Sequence, residues 1–352
     1  MKIMTIVGAR PQFVKAAVVS NHLRRNSREI LVHTGQHYDV NMSDIFFKEL
    51  GIPAPDYHLG IGSGLHGAQT GKMLESIEHV SLEEKPDCLL IYGDTNSTLA
   101  GALAASKLHI PIAHVEAGLR SFNRRMPEEV NRVVADHLAT WLFAPTRTAI
   151  TNLANEGIHE GVYRTGDVMY DAFLQMSERV SVQSHILDTL KLIPKKYCLL
   201  TLHRAENTDD PKKLQAILGT LAKLDCKVVF PIHPRTRAKL TEYHLSFESE
   251  SLSFIEPVGY FDMLNLELNS KIILTDSGGV QKEAYMAQIP CITLRNETEW
   301  VETVEVGWNR LVGADPDAIR KAIDLSWVGL EHPDLFGDGA AGAQIAKILN
   351  ER

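Results

Sequence analysis

The sequence predicts an α/β protein of two domains, each built on a doubly wound parallel β-sheet. Short runs rich in aliphatic and β-branched residues alternate with amphipathic helical stretches almost from one end of the chain to the other. Several of these runs are apolar throughout, as the strands of a parallel sheet with helices on both faces must be. The 352 residues also exceed one ordinary domain and fit two domains of about 150–180 residues each.

The predicted strands fall into two sets of six, separated by a segment of helix and loop at 181–196. The first set is 2–7, 29–33, 87–92, 112–115, 141–144 and 162–165, and the second is 197–202, 227–231, 253–256, 271–275, 291–294 and 310–312. Helical patterns lie between strands at 98–108, 128–140 and 211–224, and the tail at 339–352 is also predicted to be helical. Because βα units connect through right-handed crossovers, each set predicts one open sheet, and we expect the domains to join near 166–170.

Composition excludes several classes of protein. The formal net charge of −8 argues against a nucleic-acid coat protein or a polybasic membrane anchor. The first residues contain no long apolar run, and no stretch approaches the ~18 apolar residues of a membrane span, so we expect neither signal peptide nor transmembrane helix. Of the four cysteines, Cys88, Cys198, Cys226 and Cys291, at least three lie in apolar runs. We interpret them as small buried residues of a cytoplasmic protein, and their spacing fits no zinc site.

Polar residues directly after predicted strands are the candidate site residues, because ligands bind beyond the carboxyl ends of strands in open parallel sheets. The first strand ends in a turn that carries Arg10 and Lys15 near a helix N-terminus. Two cations and the unpaired backbone N–H groups there favour an anion. The turn does not match the dinucleotide fingerprint G-x-G-x-x-G, so NAD is not expected. An ordinary turn with solvated charges is the alternative.

Three acidic residues of the first half occupy positions suited to catalysis. Asp94 and Glu116 follow predicted strands, and Glu128 lies in the first turn of a helix that begins with a proline. Helix capping explains Asp94 equally well, and acidic first turns are common because they complement the helix dipole. A carboxylate such as Glu116 is costly to bury unless it is paired or faces a ligand. We expect the three to converge on one site, where carboxylates in unlike surroundings can divide acid and base roles.

Two features of the second half predict a phosphate- and sugar-binding site. His203 and His233 each follow a predicted strand, although both are also compatible with ordinary loops. The segment TDSGG at 275–279 links a strand to a helix, and its glycines allow backbone N–H groups to approach a phosphate at the helix N-terminus. Glu283, about one turn into that helix, can accept hydrogen bonds from ribose hydroxyls. Together these features are typical of a sugar-nucleotide site.

The order and spacing of these motifs resemble those of the nonhydrolysing UDP-N-acetylglucosamine 2-epimerases over essentially the whole chain. The matching motifs are GARP at 8–11, GDT at 93–95, HVEAGLR at 114–120, PEE at 127–129 with Asn131 and Arg132, HR at 203–204, and TDSGG at 275–279 with Gln281 and Glu283. The resemblance implies a GT-B-like fold of two Rossmann-like domains, 1–168 with 338–352 and 169–337, and an active-site cleft between them. It also implies a homodimer.

The resemblance further implies a reaction on a UDP-linked N-acetyl amino sugar. UDP leaves C1, the C2 proton is lost to give a 2-acetamidoglycal, and both add back so that UDP-GlcNAc and UDP-ManNAc interconvert without a cofactor or metal. The residues that we assign to catalysis are Asp94, Glu116, Glu128 and His203, and those assigned to UDP-sugar binding are Arg10, Lys15, Arg132, Arg204, Asn207, His233, Ser277, Gly278, Gly279 and Glu283. Gln36 and His37 match part of the family's regulatory site. The division of proton transfer among the three acids stays open.

Departures from the family pattern leave the sugar's C3 and C6 groups open. The loop at 121–126 is short, and Trp300 stands where the familiar enzymes carry an arginine. These features are closer to relatives that epimerise UDP-2,3-diacetamido-2,3-dideoxyglucuronate for surface polysaccharide synthesis. Arg124 and Arg125 could meet the carboxylate of such a sugar, with a solvated loop as the alternative. A hydrolysing epimerase, a GT-B glycosyltransferase and a nucleotide-sugar sensor are the other functions considered.

Overall fold

A computed structural model of the protein describes residues 1–36, 54–247 and 249–351. The side chain of Arg10 and the whole of His37, both predicted site residues, lie outside the described part. The chain divides into two compact units, which we call unit 1 (Met1–Ala172 with Asp334–Arg352) and unit 2 (Phe173–Pro333).

Thirteen strands occur in the described residues. They are β1 (Lys2–Val7), β2 (Arg28–His33), β3 (Tyr57–His58), β4 (Cys88–Tyr92), β5 (Ile112–Val115), β6 (Trp141–Ala144), β7 (Val162–Arg164), β8 (Tyr197–Thr201), β9 (Lys227–Pro231), β10 (Leu252–Ile255), β11 (Ile272–Thr275), β12 (Cys291–Thr293) and β13 (Asn309–Leu311). Every strand pair within these residues is parallel.

The helices alternate with the strands. Within the described residues they are α1 (Arg10–Leu23), α2 (His66–Glu84), α3 (Asn96–Lys107), α4 (Pro127–Leu138), α5 (Arg147–Asn155), α6 (Val168–Gln183), α7 (Ile186–Thr189), α8 (Ala205–Thr208), α9 (Pro211–Leu221), α10 (Pro234–Glu242), α11 (Tyr260–Asn269), α12 (Gly278–Met286), α13 (Val301–Glu305), α14 (Pro316–Asp324) and α15 (Ala341–Asn350). None of the helices in this part of the chain is long and apolar enough to cross a membrane.

The sheet of unit 1 has the strand order β3-β2-β1-β4-β5-β6-β7. The chain runs outward from β1 in one direction and from β4 in the other, so the order reverses between these two strands, which is where ligands bind in doubly wound folds. The last helix, α15, packs against α1. The carboxylate of Asp171 fixes its first turn by accepting N–H bonds from Ala341 (3.1 Å) and Gly342 (2.8 Å).

The sheet of unit 2 has the order β10-β9-β8-β11-β12-β13 and reverses between β8 and β11. Both sheets have helices on either face, and their strands are correspondingly apolar. Met4, Ile6 and Leu89 are among the core residues of unit 1, and Leu200 and Phe230 among those of unit 2. Ligands are therefore expected beyond the carboxyl ends of β1 and β4 in unit 1 and of β8 and β11 in unit 2.

The predicted fold class is confirmed, since both units are doubly wound parallel sheets of the kind found in GT-B proteins. All twelve predicted strands are present, with ends shifted by one residue at most. The prediction missed β3, a two-residue edge strand that pairs with β2 through Tyr57 and His58. Two residues are too few to show a hydrophobic period, so their strand character comes only from this pairing.

Candidate functional site

The side chain of Gln12 connects the turn after β1 to the turn after β4 through hydrogen bonds. Its side-chain oxygen accepts the N–H groups of Gly8 (2.8 Å) and Ala9 (3.0 Å). Its amide nitrogen donates to the carbonyl of Tyr92 (2.8 Å) and to the hydroxyl of Thr95 (3.0 Å). The side chain of Gln12 is only 2% exposed. Because its amide oxygen and its amide nitrogen both form hydrogen bonds, it fixes the position of one turn relative to the other.

Lys15 of α1 and Glu116, which directly follows β5, form an ion pair, and their side chains are only 8% and 9% exposed. Glu116 has a left-handed backbone (φ 72°), a conformation that costs free energy outside glycine and concentrates at functional sites. Gly93 borders the pair, because a Cβ there would lie 3.3 Å from Glu116 Oε2 and 3.4 Å from Lys15 Nζ. Two of the predicted site residues are thus brought together beside the turn that bears Asp94.

Asp94 is held by the first turns of α4. Its carboxylate forms an ion pair with Arg132, and its backbone carbonyl accepts a hydrogen bond from Asn131 Nδ2 (2.9 Å). Glu128 lies three and four residues before these two and so shares their face of the helix. Glu128 is half-buried and makes no hydrogen bond or ion pair with another residue of the described ranges, which leaves its carboxylate available to a ligand.

A buried chain of hydrogen bonds connects the turns after β4 and β5. Asp136 accepts bonds from His114 Nδ1 (2.7 Å), Arg120 Nη1 (2.7 Å) and the backbone N–H of Gly118 (3.0 Å), while His114 Nε2 donates to the carbonyl of Gly93 (2.7 Å). Burial acts to raise the pKa of Asp136, but His114 and Arg120 outweigh it and lower that pKa below its usual value. The ring of His114 therefore bridges Asp136 of α4 and the turn after β4, and Asp136 bridges α4 and the turn after β5.

Gln36, the described half of the predicted regulatory pair, contacts the start of α3. Its side-chain oxygen accepts hydrogen bonds from the backbone N–H (3.1 Å) and the hydroxyl (2.7 Å) of Ser97. The hydroxyl of Thr34 is also 2.8 Å from that of Ser97. Gln36 therefore lies beside the helix that follows Asp94, and its role as a regulatory residue stays a prediction.

In unit 2, Asp276 organises the turn after β8. Its fully buried carboxylate accepts the backbone N–H groups of His203 (3.1 Å) and Arg204 (2.9 Å) and the side-chain amide of Asn207 (3.2 Å). Asn207 Nδ2 also donates to the carbonyl of Leu294 (2.9 Å). Asn207, predicted to bind the ligand, is thus buried and directed at the supporting carboxylate. The guanidinium of Arg204, by contrast, makes no hydrogen bond or ion pair within the described residues.

His203 and His233 face each other across the ends of β8 and β9, with ring centroids 5.7 Å apart. Desolvation lowers the pKa of His203, and the charges of Arg204 and Arg235 lower it further. The charge of Asp276 acts in the opposite direction but does not outweigh them. Desolvation and then Arg235 lower the pKa of His233. Both imidazoles are therefore neutral at pH 7, and each can donate one hydrogen bond to a phosphate oxygen.

Arg235→Gln is expected to raise the pKa of both histidines, and more for His233, because Arg235 is the main charge acting on it. Histidine NMR titrations of the free protein measure both midpoints. Arg237→Gln is the matched control, since Arg237 lies in the same helix and pairs with Glu256 (2.6 Å). Midpoints that fail to rise, or that rise equally in the control, would contradict this electrostatic account.

The Ser-Gly-Gly turn begins α12 as predicted, with Ser277 as its N-cap residue and Gly278 and Gly279 as its first helical residues. A Cβ at Gly278 would lie 3.5 Å from Glu299 Oε2 and 3.6 Å from Trp300 Nε1. The backbone donors of the turn are suited to an anion, and the Glu299 carboxylate and the Trp300 indole both lie beside Gly278. Trp300 is 4% exposed, so its side chain is packed in place beside the turn.

Glu283 follows one turn into α12 and is half-buried. It lies close enough to the fully buried Glu267 to act on it electrostatically. Desolvation, followed by the negative charge of Glu283, raises the pKa of Glu267 well above its usual value.

Three residues that sequence reasoning did not select support these groups, namely Gln12, Asp136 and Asp276. Asp276 was visible only as a member of the TDSGG motif, and Gln12 and Asp136 lie outside the matched motifs. No local pattern shows that each of the three serves several hydrogen-bonding groups from different elements. Among the described residues, no group of three His, Cys, Asp or Glu side chains could hold a metal ion.

Comparison with known proteins identifies the family. The family model described as UDP-N-acetylglucosamine 2-epimerase matches residues 21–350. The chain is 55% identical over 355 residues to a UDP-N-acetylglucosamine 2-epimerase homolog of Methanococcus maripaludis, with 99% of both chains covered. It is 51% identical over 359 residues to UDP-2,3-diacetamido-2,3-dideoxy-D-glucuronate 2-epimerase of Pseudomonas aeruginosa, again with 99% of both covered.

A solved structure extends this comparison to the fold. The crystal structure of Methanocaldococcus jannaschii UDP-GlcNAc 2-epimerase in complex with UDP-GlcNAc and UDP superposes with a TM-score of 0.92 at 46% identity, covering 100% of both chains. Family model, sequence identity and fold agree over the full length. The chain belongs to the UDP-N-acetylglucosamine 2-epimerase family of isomerases.

Proposed function

We propose that this chain interconverts UDP-GlcNAc and UDP-ManNAc without releasing free sugar. The proposal rests on the arrangement in unit 1, where Asp94 and Glu116 follow the neighbouring strands β4 and β5 and each is paired with a cation from a helix. Glu128 lies on the helix face that holds Asp94. Such a set offers carboxylates in unlike surroundings, as proton removal and return on opposite faces of one carbon require.

The chemistry explains why several charged groups are needed. The C2 proton beside an N-acetyl group is weakly acidic, but expelling UDP makes C1 cationic and lets that proton leave. The product is a 2-acetamidoglycal, and re-addition of UDP with a proton on the other face gives the manno epimer. Each positioned acid or base contributes about 10²–10⁴ in rate, and donors on the departing diphosphate contribute a comparable amount.

Within unit 1, Glu116 is our candidate for the principal base. Its carboxylate is buried beside the ammonium of Lys15, so it is positioned in a site from which water is largely excluded. Glu128, which makes no hydrogen bond or ion pair within the described residues, is the candidate for the opposing acid. Asp94, already paired with Arg132, is assigned to stabilising the cationic C1.

Within unit 2, the candidate UDP ligands are the backbone N–H groups of Gly278 and Gly279 and the guanidinium of Arg204. Ser277 and the neutral His203 and His233 supply further hydrogen-bond donors, and Glu283 is assigned to the ribose hydroxyls. The side chain of Arg10 lies outside the described residues and keeps its predicted assignment to UDP. This division needs no redox cofactor, since the reaction moves only a proton and the nucleotide.

Incubation with UDP-GlcNAc in D₂O tests the proposal. We expect deuterium at C2 and a gluco/manno mixture in which both sugars remain UDP-linked. Free ManNAc with UDP as the main product would instead identify a hydrolysing epimerase. Transfer to an acceptor without C2 exchange would identify a glycosyltransferase, and binding without any turnover a sensor.

A specific observation favours a second substrate, UDP-2,3-diacetamido-2,3-dideoxyglucuronate, as part of surface polysaccharide synthesis. Arg124 and Arg125 are exposed on the loop before α4, and neither guanidinium has a partner among the described residues. The Pseudomonas aeruginosa relative bears that substrate's name at 51% identity. Two unpaired cations beside the candidate site suit a uronate carboxylate.

If the uronate is a substrate, Arg124→Gln/Arg125→Gln should raise its KM by about tenfold, corresponding to ~1.4 kcal/mol, and leave the KM for UDP-GlcNAc nearly unchanged. Steady-state kinetics with both sugars measure the two effects. Arg147→Gln, which removes an exposed arginine at the start of α5, is the control. Equal changes in KM for both substrates would show that the loop does not bind the uronate carboxylate.

We also propose that the chain acts as a cytoplasmic homodimer. The support is the family resemblance of the sequence. Light scattering on the eluate of a sizing column tests the assembly, with twice the chain mass of 39.2 kDa as the expected result and the mass of one chain as the contrary one.

A further inference from the structure

Cys198 and Cys226 place two thiols side by side in unit 2. Cys198 is the second residue of β8, and Cys226 immediately precedes β9, the neighbouring parallel strand. Their sulfur atoms are 3.4 Å apart, and neither residue is in a disulfide. Closing that separation to the ~2.05 Å of a disulfide bond requires only a small approach of the two side chains.

The two thiols differ in exposure and acidity. Cys198 is fully buried, whereas Cys226 is half-buried. A hydrogen bond from Cys198 and the positive charge of Lys271 lower the pKa of Cys226 to about 7, against the opposing effect of partial burial. The same hydrogen bond and burial raise the pKa of Cys198. Cys226 is therefore the more nucleophilic sulfur at neutral pH, because the thiolate is the reactive form.

The other cysteines provide internal references. Cys88 and Cys291 are fully buried within β4 and β12, and burial is the first cause that raises the pKa of each to about 12. Neither has a second thiol within hydrogen-bonding distance among the described residues. An accessible, acidic thiol next to a second thiol is the arrangement found at reversible oxidation sites, and only the Cys198–Cys226 pair has it within the part of the chain that the structure describes.

We propose that Cys226 and Cys198 form an oxidation site that reacts with hydroperoxides and closes to an intramolecular disulfide. In the first step the Cys226 thiolate attacks one peroxide oxygen. The O–O bond breaks, an S–O bond forms, and the other peroxide oxygen leaves as hydroxide from hydrogen peroxide or as an alkoxide from an organic hydroperoxide, so the sulfur is oxidised to a sulfenic acid. In the second step the Cys198 sulfur attacks that of Cys226. The S–O bond breaks, water leaves, and the two thiols have together lost two electrons and two protons to one peroxide.

Hydrogen peroxide treatment of the full-length protein tests the proposal. After catalase quenching, the protein is denatured and alkylated with iodoacetamide, and its peptides are separated without reduction. We expect two of the four cysteines to escape alkylation. A peptide joining Cys198 to Cys226 should appear about 2 Da lighter than the sum of its parts and separate on reduction. Alkylation of all four cysteines, or loss at Cys88 or Cys291 first, would overturn the proposal.

Two variants assign the steps to individual sulfurs. In Cys198→Ser, peroxide should leave a sulfenic acid at Cys226 that dimedone labels and that proceeds to the sulfinic acid. In Cys226→Ser, the remaining three cysteines should stay reduced under the same treatment. If the wild-type protein instead forms a sulfinic acid at Cys226 and no disulfide, Cys198 does not react with the sulfenic acid. That result would contradict the two-step mechanism.

Discussion

Glu116→Gln is expected to lower C2 deuterium exchange and epimerisation together by about 10²–10⁴-fold, the contribution of one positioned acid or base. The substitution keeps the size of the side chain and its ability to accept a bond from Lys15, but it removes the charge and the basicity. UDP affinity should change little, since Glu116 is not itself a candidate UDP ligand and several of those ligands, Gly278, Gly279 and Arg204 among them, belong to unit 2. Exchange rates by NMR and UDP affinity by calorimetry measure the two quantities on the same preparation.

The control for this prediction is Glu75→Gln, which replaces an exposed glutamate of α2 and should leave both quantities unchanged. Lys15→Met is a second informative variant. It leaves Glu116 buried without its cation, which raises the free energy of the carboxylate and favours its protonation. A loss of exchange in Lys15→Met that is recovered at higher pH would support the base assignment. Normal exchange by Glu116→Gln would contradict it and move the role to Asp94 or Glu128.

The sequence predicted the fold and the strand-end site residues because both depend on local information. Apolar runs of four to six residues mark buried parallel strands wherever they occur, and the residue after such a strand lies at the sheet edge by geometry alone. Asp94 and Glu116 could be selected on that basis, and Lys15 as a cation near the N-terminus of the helix that follows the first strand. Their pairing partners could not, because the Lys15–Glu116 contact joins residues 101 positions apart.

The residues that sequence reasoning missed share one physical property. Gln12, Asp136 and Asp276 are buried polar side chains that each serve several hydrogen-bonding groups from different elements. In the sequence, Gln12 looks like an ordinary first-turn residue and Asp136 like one on the polar face of α4. Their importance arises only when the fold surrounds them with groups that must be satisfied, since an unpaired buried polar atom costs about 1–3 kcal/mol.

The largest stability effect is expected for Asp136→Asn. The wild-type carboxylate accepts bonds from His114, Arg120 and Gly118 with its two oxygens. An asparagine offers one oxygen and an NH₂ group, which must face one of these donors. Breaking a buried ionic network by removing one partner costs about 3–5 kcal/mol. Urea unfolding should show this loss, and hydrogen exchange should show faster opening of peptides that cover β4 and β5.

The stabilisation lost in Asp136→Asn should depend on pH in a defined direction. The folded-state pKa of Asp136 lies below its usual value, so the stabilisation by its charge is fully present above about pH 4, the unfolded-state pKa. It is lost as the pH falls through the folded-state pKa. The difference in unfolding free energy between the wild type and Asp136→Asn should therefore be constant from about pH 5 upward and shrink below about pH 4.

Asp317→Asn distinguishes this effect from a general loss of surface charge. Asp317 forms a comparable contact with Arg320 (2.6 Å), but its side chain is 92% exposed, and such pairs contribute about 0–1 kcal/mol. Its substitution should leave stability within ~0.5 kcal/mol of the wild type. A loss no larger in Asp136→Asn than in this control would mean that the His114–Asp136–Arg120 chain does not hold the two turns. The positions of Asp94 and Glu116 would then have to be fixed by Gln12, by the Lys15 pair and by the contacts of Asp94 with Asn131 and Arg132.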